Sequence, residues 1–392
     1  MIVRQFISWV RTAPPGERAE ATRALARAWL VSDLSDDDRG AAEGALLMLL
    51  DDGSPLVRQA MAEVFARSLD APPAIVQALS LDQASVALPI LEHSPLLIDA
   101  DLVDLVATGC AEVQGAIARR AGLPAAICAA IAEVGQAAAT LELIENPAAA
   151  LPTFSLQRIA DRHGHLAAIR EALLARTDLP SSTRLALVAK LSDTLVQFVT
   201  ARNWLSADRA ARVAAEASER STVTIAARSR GEDMRDLVGH LRATGQLNAG
   251  LILRALLSGN LALFDAALVE LSGLPQSRVS ALIDDRGGAG LTALLTRAGF
   301  PKSTFGAFRA AVAALHEVGF VGSIEGMTRL RRRMVERVLT ACAMESSEAT
   351  EPLLILLRRF STESAREEAR LFCDELVASH DLASLPGELI AA

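Results

Sequence analysis

Only one stretch of this chain clusters histidines, the side chains most able to ligate a transition metal: Asp161-Arg162-His163-Gly164-His165. Two imidazoles beside a carboxylate are half of a zinc site, which needs three or four ligands, and no further histidine, cysteine or acid stands at a recognisable spacing. Gly164 between the histidines reads instead as an interhelical turn, and no metal is assigned. The four cysteines, Cys110, Cys128, Cys342 and Cys373, are far apart and form no C-x-x-C pair, so they read as small buried hydrophobes in a reducing compartment.

A second place with chemical potential is the loop Asp284-Asp285-Arg286-Gly287-Gly288-Ala289-Gly290. Exposed backbone N–H groups at the start of a helix favour anions. The loop lacks the G-x-x-x-x-G-K-[ST] spacing of a nucleotide-binding loop, however, and its two aspartates oppose an anion, so a plain turn is the simpler account. Third is the basic run Arg329, Arg331, Arg332, Arg333 and Arg337 on a helix expected from Ile324 to Cys342, with Ile324, Met327, Leu330, Met334 and Val338 as its apolar stripe. That pattern is a solvated face over a buried stripe, or a dock for an acidic partner or anionic lipid. Asp285, Arg286, Arg329, Arg332 and Arg333 are therefore the candidate interaction residues. No G-x-S-x-G elbow and no paired nucleophile and histidine occur, so neither catalytic residues nor a cofactor are assigned.

The elements that would carry these residues repeat. Val57, Val86, Val113, Ala139 and Leu166 open one helix of each unit, and Pro73, Ala100, Pro124, Pro152 and Pro180 open the next, both series recurring about every 27 residues. Proline suits a first helical turn, where its missing N–H has no intrahelical acceptor. The apolar residues within each helix follow a helical period: Ile75, Val76 and Leu79, then Leu102, Val103, Leu105 and Val106, then Ile127, Cys128 and Ile131. Pro89 and Pro147 should shorten or kink the first helices of their units. Stacked hairpins of this kind form an α-solenoid of two-helix repeats, in which neighbours cover stripes that a lone hairpin leaves open.

Beyond Leu191 the regularity stops. Longer helices are expected at Arg184–Ala201 and Asp208–Glu219. Gly259-Asn260 reads as a helix stop followed by a cap, and two separate helices are expected at Pro352–Phe360 and Ala365–His380. The resulting division is an N-terminal helical cap (1–50), the solenoid (51–183), a second compact helical region (184–320) and a C-terminal helical extension (321–392).

The segments Ser94-Pro95-Leu96-Leu97, Ile117-Ala118-Arg119-Arg120, Gly259-Asn260-Leu261-Ala262-Leu263-Phe264 and Asp285-Arg286-Gly287-Gly288, followed by Arg297-Ala298-Gly299-Phe300-Pro301 and Ala307-Phe308-Arg309, resemble the bacterial family catalogued as domain of unknown function 2336. The resemblance covers most of Asp51 to Leu315. It implies an all-α protein with HEAT-like repeats and brings no catalytic residues with it.

Composition agrees with an all-α chain: 51% of residues are hydrophobic, only 4% are aromatic, and tyrosine is absent. Packing then falls to alanine and leucine, which favour helices over strands. From Asp51 to Leu179 there are 16 acidic and 8 basic residues, a balance equal to the −8 of the whole chain. An acidic repeat region repels phosphate backbones, which disfavours a nucleic-acid-binding role like that of HEAT-like alkylpurine DNA glycosylases. A small-ligand or cyclic-nucleotide sensor would rest on the Arg286 loop and Arg329 cluster alone. The expectation is a cytoplasmic protein-interaction scaffold or regulatory adaptor with no transmembrane segment, binding a peptide or helical partner and capable of homodimerising through its C-terminal helices.

Overall fold

The computed structural model describes residues 8–10, 12–285, 288–318, 324–344 and 351–383, and every regular element among them is helical. None of these helices is long and apolar enough to cross a membrane. The chain divides into two compact units, Met1–Leu179 and Pro180–Ala392.

The first unit contains α1 (Pro15–Val31), α2 (Asp36–Leu49), α3 (Pro55–Phe65), α4 (Pro73–Ser80), α5 (Ala84–His93), α6 (Asp99–Thr108), α7 (Ala111–Ala118), α8 (Ala125–Val134), α9 (Ala137–Glu145), α10 (Thr153–His163) and α11 (Ala167–Ala175). Helices pack on the next but one in sequence: α1, α3, α5, α7, α9 and α11 follow one another along one track, and α6, α8 and α10 along a second. Each contributes one stripe to the core, such as Val57, Met61 and Phe65, then Ile75, Val76 and Leu79, then Ile127, Cys128 and Ile131. Ser35 caps α2 as its sequence suggests, its side chain accepting from the Asp38 N–H.

Two local expectations are corrected here. Pro124, Pro152 and Pro180 stand one residue before their helices, as N-caps, and only Pro73 occupies the first helical position. Either place tolerates proline, because neither needs its N–H for an intrahelical bond. Of the shortening or kink expected at Pro89, shortening does not occur. The proline sits inside α5, whose Val86, Ala87, Ile90 and Leu91 are almost wholly buried. Burying a large aliphatic side chain is worth about 1.5–3 kcal/mol, so this face outweighs the ~3 kcal/mol that an interior proline costs.

The second unit begins with a long hairpin, α12 (Ser181–Ala201) and α13 (Ala207–Ala226), followed by α14 (Gly231–Ala243), α15 (Ala249–Leu257), α16 (Leu261–Ser272), α17 (Gln276–Ile283) and α18 (Ala289–Arg297). A 3₁₀ turn (Lys302–Thr304) leads into α19 (Phe305–Val318), α20 (Ile324–Met344) and α21 (Glu351–Ala383). Gly259, at φ 74°, stops α15, and Asn260 starts α16 by accepting from the Leu263 N–H. Phe308 anchors the larger core, stacked between Phe264 and Phe300 with ring centroids 6.2 and 5.3 Å away.

At the C-terminal end the two expected helices are one, α21. Leu353, Leu354, Leu357 and Phe360 enter the core, whereas Phe372 is 61% exposed. Ser361-Thr362-Glu363-Ser364 contains neither glycine nor proline, so nothing interrupts the helix between the two stripes. The cysteines also divide: Cys128 and Cys342 are buried as expected, while Cys110 and Cys373 are exposed. Burial pushes the Cys128 thiol up to about 11, making it an inert core group.

Candidate functional site

The predicted interaction residues fall at two places in the second unit. Asp285 lies just ahead of α18, and its Oδ2 accepts from the Gly290 N–H at 2.8 Å. The chain's own carboxylate thus occupies the helix N-terminus where an anion would bind. Arg286 and Gly287 lie outside the described residues. Arg329, Arg332 and Arg333 all belong to α20, but nothing is described of the Arg329 side chain. Arg332 donates to Glu336 at 2.9 Å and to Glu368 at 2.7 Å. Arg333 is exposed, and Arg331 donates to the Ser258 carbonyl at 2.9 Å. The opposite face of α20 buries Met334, Val335, Val338 and Cys342, as the amphipathic pattern requires.

Around His163 the chemistry is structural. Its ring lies 3.3 Å from the Gly135 carbonyl, and Arg162 donates to the carbonyls of Ala132 and Gly135 at 2.7 and 3.0 Å. Burial holds His163 below the ordinary histidine range, with Arg162 and His165 adding to the effect and the Gly135 carbonyl opposing it. No group of three metal-ligating side chains occurs among the described residues.

Arg162 is one member of a series that the sequence did not advertise. Arg120, just past α7, donates to the Leu91 and Ser94 carbonyls at the end of α5, at 2.6 and 2.7 Å. Asn146, just past α9, donates to the Ala118 and Arg120 carbonyls at the end of α7, both at 2.8 Å. Past α11, Arg176 reaches the Ile144 carbonyl in α9 at 3.0 Å. The last carbonyls of a helix have no intrahelical donor and carry its negative dipole end, so a guanidinium or amide satisfies both needs. Each clamp spans 26 to 32 residues.

The second unit holds two further polar centres. Arg254 is 6% exposed, stacks 4.1 Å over the Phe360 ring and pairs with Glu363 at 3.0 Å and Glu219 at 3.4 Å. Arg220 also pairs with Glu363, and Arg359 with Glu216. Burial raises Glu219 above the usual carboxylate range despite Arg254. This cluster ties α13, α15 and α21 together.

The other centre is a cleft of about 340 Å³ whose lining includes Ser229, Arg230, Met234, Asp265 and Gln276. Burial, helped by Asp284, pushes the Asp265 carboxyl up to about 6, so it changes charge near neutral pH. Ser229 is not a nucleophile for this acid. Its hydroxyl is 1% exposed and donates to Ser181 Oγ at 2.6 Å, which donates to Asp233 Oδ2 at 2.7 Å, a chain that fastens the start of α12 to α14.

No curated protein matches the chain. No solved structure does either. A bacterial family described as "uncharacterised protein conserved in bacteria", domain of unknown function 2336, matches residues 86–348, which take in all of the clamps of the first unit and most of the second unit. On that match over well more than half its length, the chain belongs to the family of domain of unknown function 2336.

Proposed function

We propose that the protein is a non-enzymatic interaction scaffold whose first unit is a HEAT-like α-solenoid presenting its surface to a peptide or helical partner. The observation that carries this reading is the series of clamps by which Arg120, Asn146, Arg162 and Arg176 cap helices one repeat back. Such clamps use up the polar groups at the helix ends and stiffen a stack, and a stiff stack is what an extended binding surface requires. That surface carries apolar side chains at helix ends: Ile98, at the N-cap of α6, is 62% exposed and Phe154, near the start of α10, is 66% exposed. Its charge favours a basic partner, since Met1–Leu179 contains 23 acidic and 14 basic residues.

The test is site-specific photocrosslinking in the native cell from Ile98 and from Phe154. The scaffold reading expects both positions to capture the same protein, with capture falling as salt is raised. Repeated failure of both positions to capture any protein would sink it.

A further inference from the structure

The α12–α13 hairpin buries its large side chains only toward its base, the small Ala210 being the one side chain buried near the turn. Ser181, Thr183, Leu185 and Leu187 are buried in α12, and Thr222, Val223 and Ala226 in α13. Near the turn the pattern inverts. Leu195 is 53% exposed, Phe198 44%, Trp204 63% and Val213 53%, four large apolar side chains within nineteen residues. Helices rise 1.5 Å per residue, so Leu195 and Val213 lie about 9 Å from the ends of their helices, with Phe198 and Trp204 closer to the turn. Nothing about the fold of the hairpin requires these exposures, and isolated exposed apolar residues are ordinary, but a cluster confined to one tip is not.

The tip is also specifically built. Asn203 adopts a left-handed conformation, φ 56°, the one non-glycine among the described residues to do so. The turn brings Phe198 and Trp204 edge to face at 5.6 Å, and Arg202 lies over both rings, at 4.0 and 5.5 Å. Between Leu195 and Val213 the charged residues are Arg202, Arg209, Arg212 and Asp208, so this stretch is net positive in a chain of charge −8. Arg209 and Arg212 are exposed.

We propose that the end of the α12–α13 hairpin docks on an anionic lipid surface. Three features select this occupant. The positive sign repels a second copy of the same tip and attracts acidic headgroups. Tryptophan and arginine together suit the layer between headgroups and acyl chains, where an amphipathic ring and a cation resting on it are both satisfied. The depth of the apolar cluster, about 9 Å, matches the roughly 5–10 Å to which amphipathic segments enter a bilayer. The docking is independent of the scaffold reading, since it uses the second unit only.

The experiment is cosedimentation of the full chain with vesicles of phosphatidylcholine alone and with phosphatidylglycerol added, at low and high salt. Binding to the anionic vesicles is expected at low salt, weaker by on the order of tenfold on neutral vesicles, with two net charges contributing. The double variant Phe198→Ser, Trp204→Ser should lose most of that binding while keeping its circular dichroism spectrum and melting temperature, because both side chains are exposed. If that variant melts early, Arg209→Glu with Arg212→Glu makes the same test on charge. No sedimentation of the wild-type chain with anionic vesicles, or sedimentation unchanged in both variants, overturns the proposal. Light scattering that finds a dimer split by the tip variants also overturns it, by assigning the tip to a second copy.

Discussion

The fold brings the ionisation of Asp265 close to neutral pH. Its carboxyl titrates near 6 because packing of α16 and α17 takes it out of water and Asp284 adds a like charge. A folded pKa raised above the unfolded value means that the native state holds its proton more tightly. Stability from this group is therefore complete below about pH 4 and is lost as pH rises through about 6. Asp265→Asn removes the ionisation, so its melting temperature should exceed that of wild type at pH 7.5 and converge with it near pH 4. The difference at pH 7.5 should be at most about 3 kcal/mol, at ~1.4 kcal/mol per pH unit. A gap that persists unchanged from pH 4 to 8 would deny the aspartate this role. Nothing in the sequence singles out Asp265: it is one of two acids in a largely apolar helix, without a motif, and its environment draws on residues eleven and more positions away, Gln276 and Asp284 among them. His163, by contrast, stood in the one histidine cluster, yet it closes a helix and its ring lies against the Gly135 carbonyl.

Helices were the most legible feature, because an apolar stripe at helical period is written locally and needs no knowledge of its neighbours. Their ends were harder. Pro89 failed to stop α5 because four buried side chains outweigh one lost bond, and that comparison depends on α3 and α7 packing against it. The clamps were illegible for the same reason: an arginine after a helix looks like any solvated charge until a neighbouring helix end lies beside it. Their energetics separate them from ordinary ion pairs. Arg162 is half-buried and satisfies two carbonyls, whereas Arg158 forms an exposed pair with Glu133 at 2.7 Å. Arg162→Ala leaves the Ala132 carbonyl without its side-chain donor and the Gly135 carbonyl with only the His163 ring, and should cost about 2 kcal/mol. Arg158→Ala should cost less than about 1 kcal/mol, as exposed pairs do. Urea denaturation of both variants measures the contrast, and equal losses would mean that the clamp is no more than a surface contact.

Charge is what distinguishes the two units as wholes, and it was readable from the sequence once a boundary was drawn. Met1–Leu179 has a net charge of −9 from its 23 acidic and 14 basic residues, while Pro180–Ala392 is close to neutral, with 25 basic and 24 acidic. The densest positive run of the near-neutral half, Arg329 to Arg337, was legible in the sequence; that Arg202, Arg209 and Arg212 share one tip was not, because it required knowing that α12 and α13 fold back on each other around Asn203. The consequence for nucleic acid can be measured. A duplex presents one negative charge per ~1.7 Å, and specific binders neutralise several phosphates with clustered lysines and arginines. A strongly acidic first unit cannot do this, and the hairpin tip offers only three arginines offset by Asp208. Fluorescence anisotropy with a labelled duplex of about 30 base pairs should therefore detect no binding below roughly 10 µM at 50 mM salt, a condition that exaggerates electrostatic attraction. Tighter binding with a steep salt dependence would show that the cationic groups act together on phosphate, and it would move the functional reading from a protein partner to a nucleic acid.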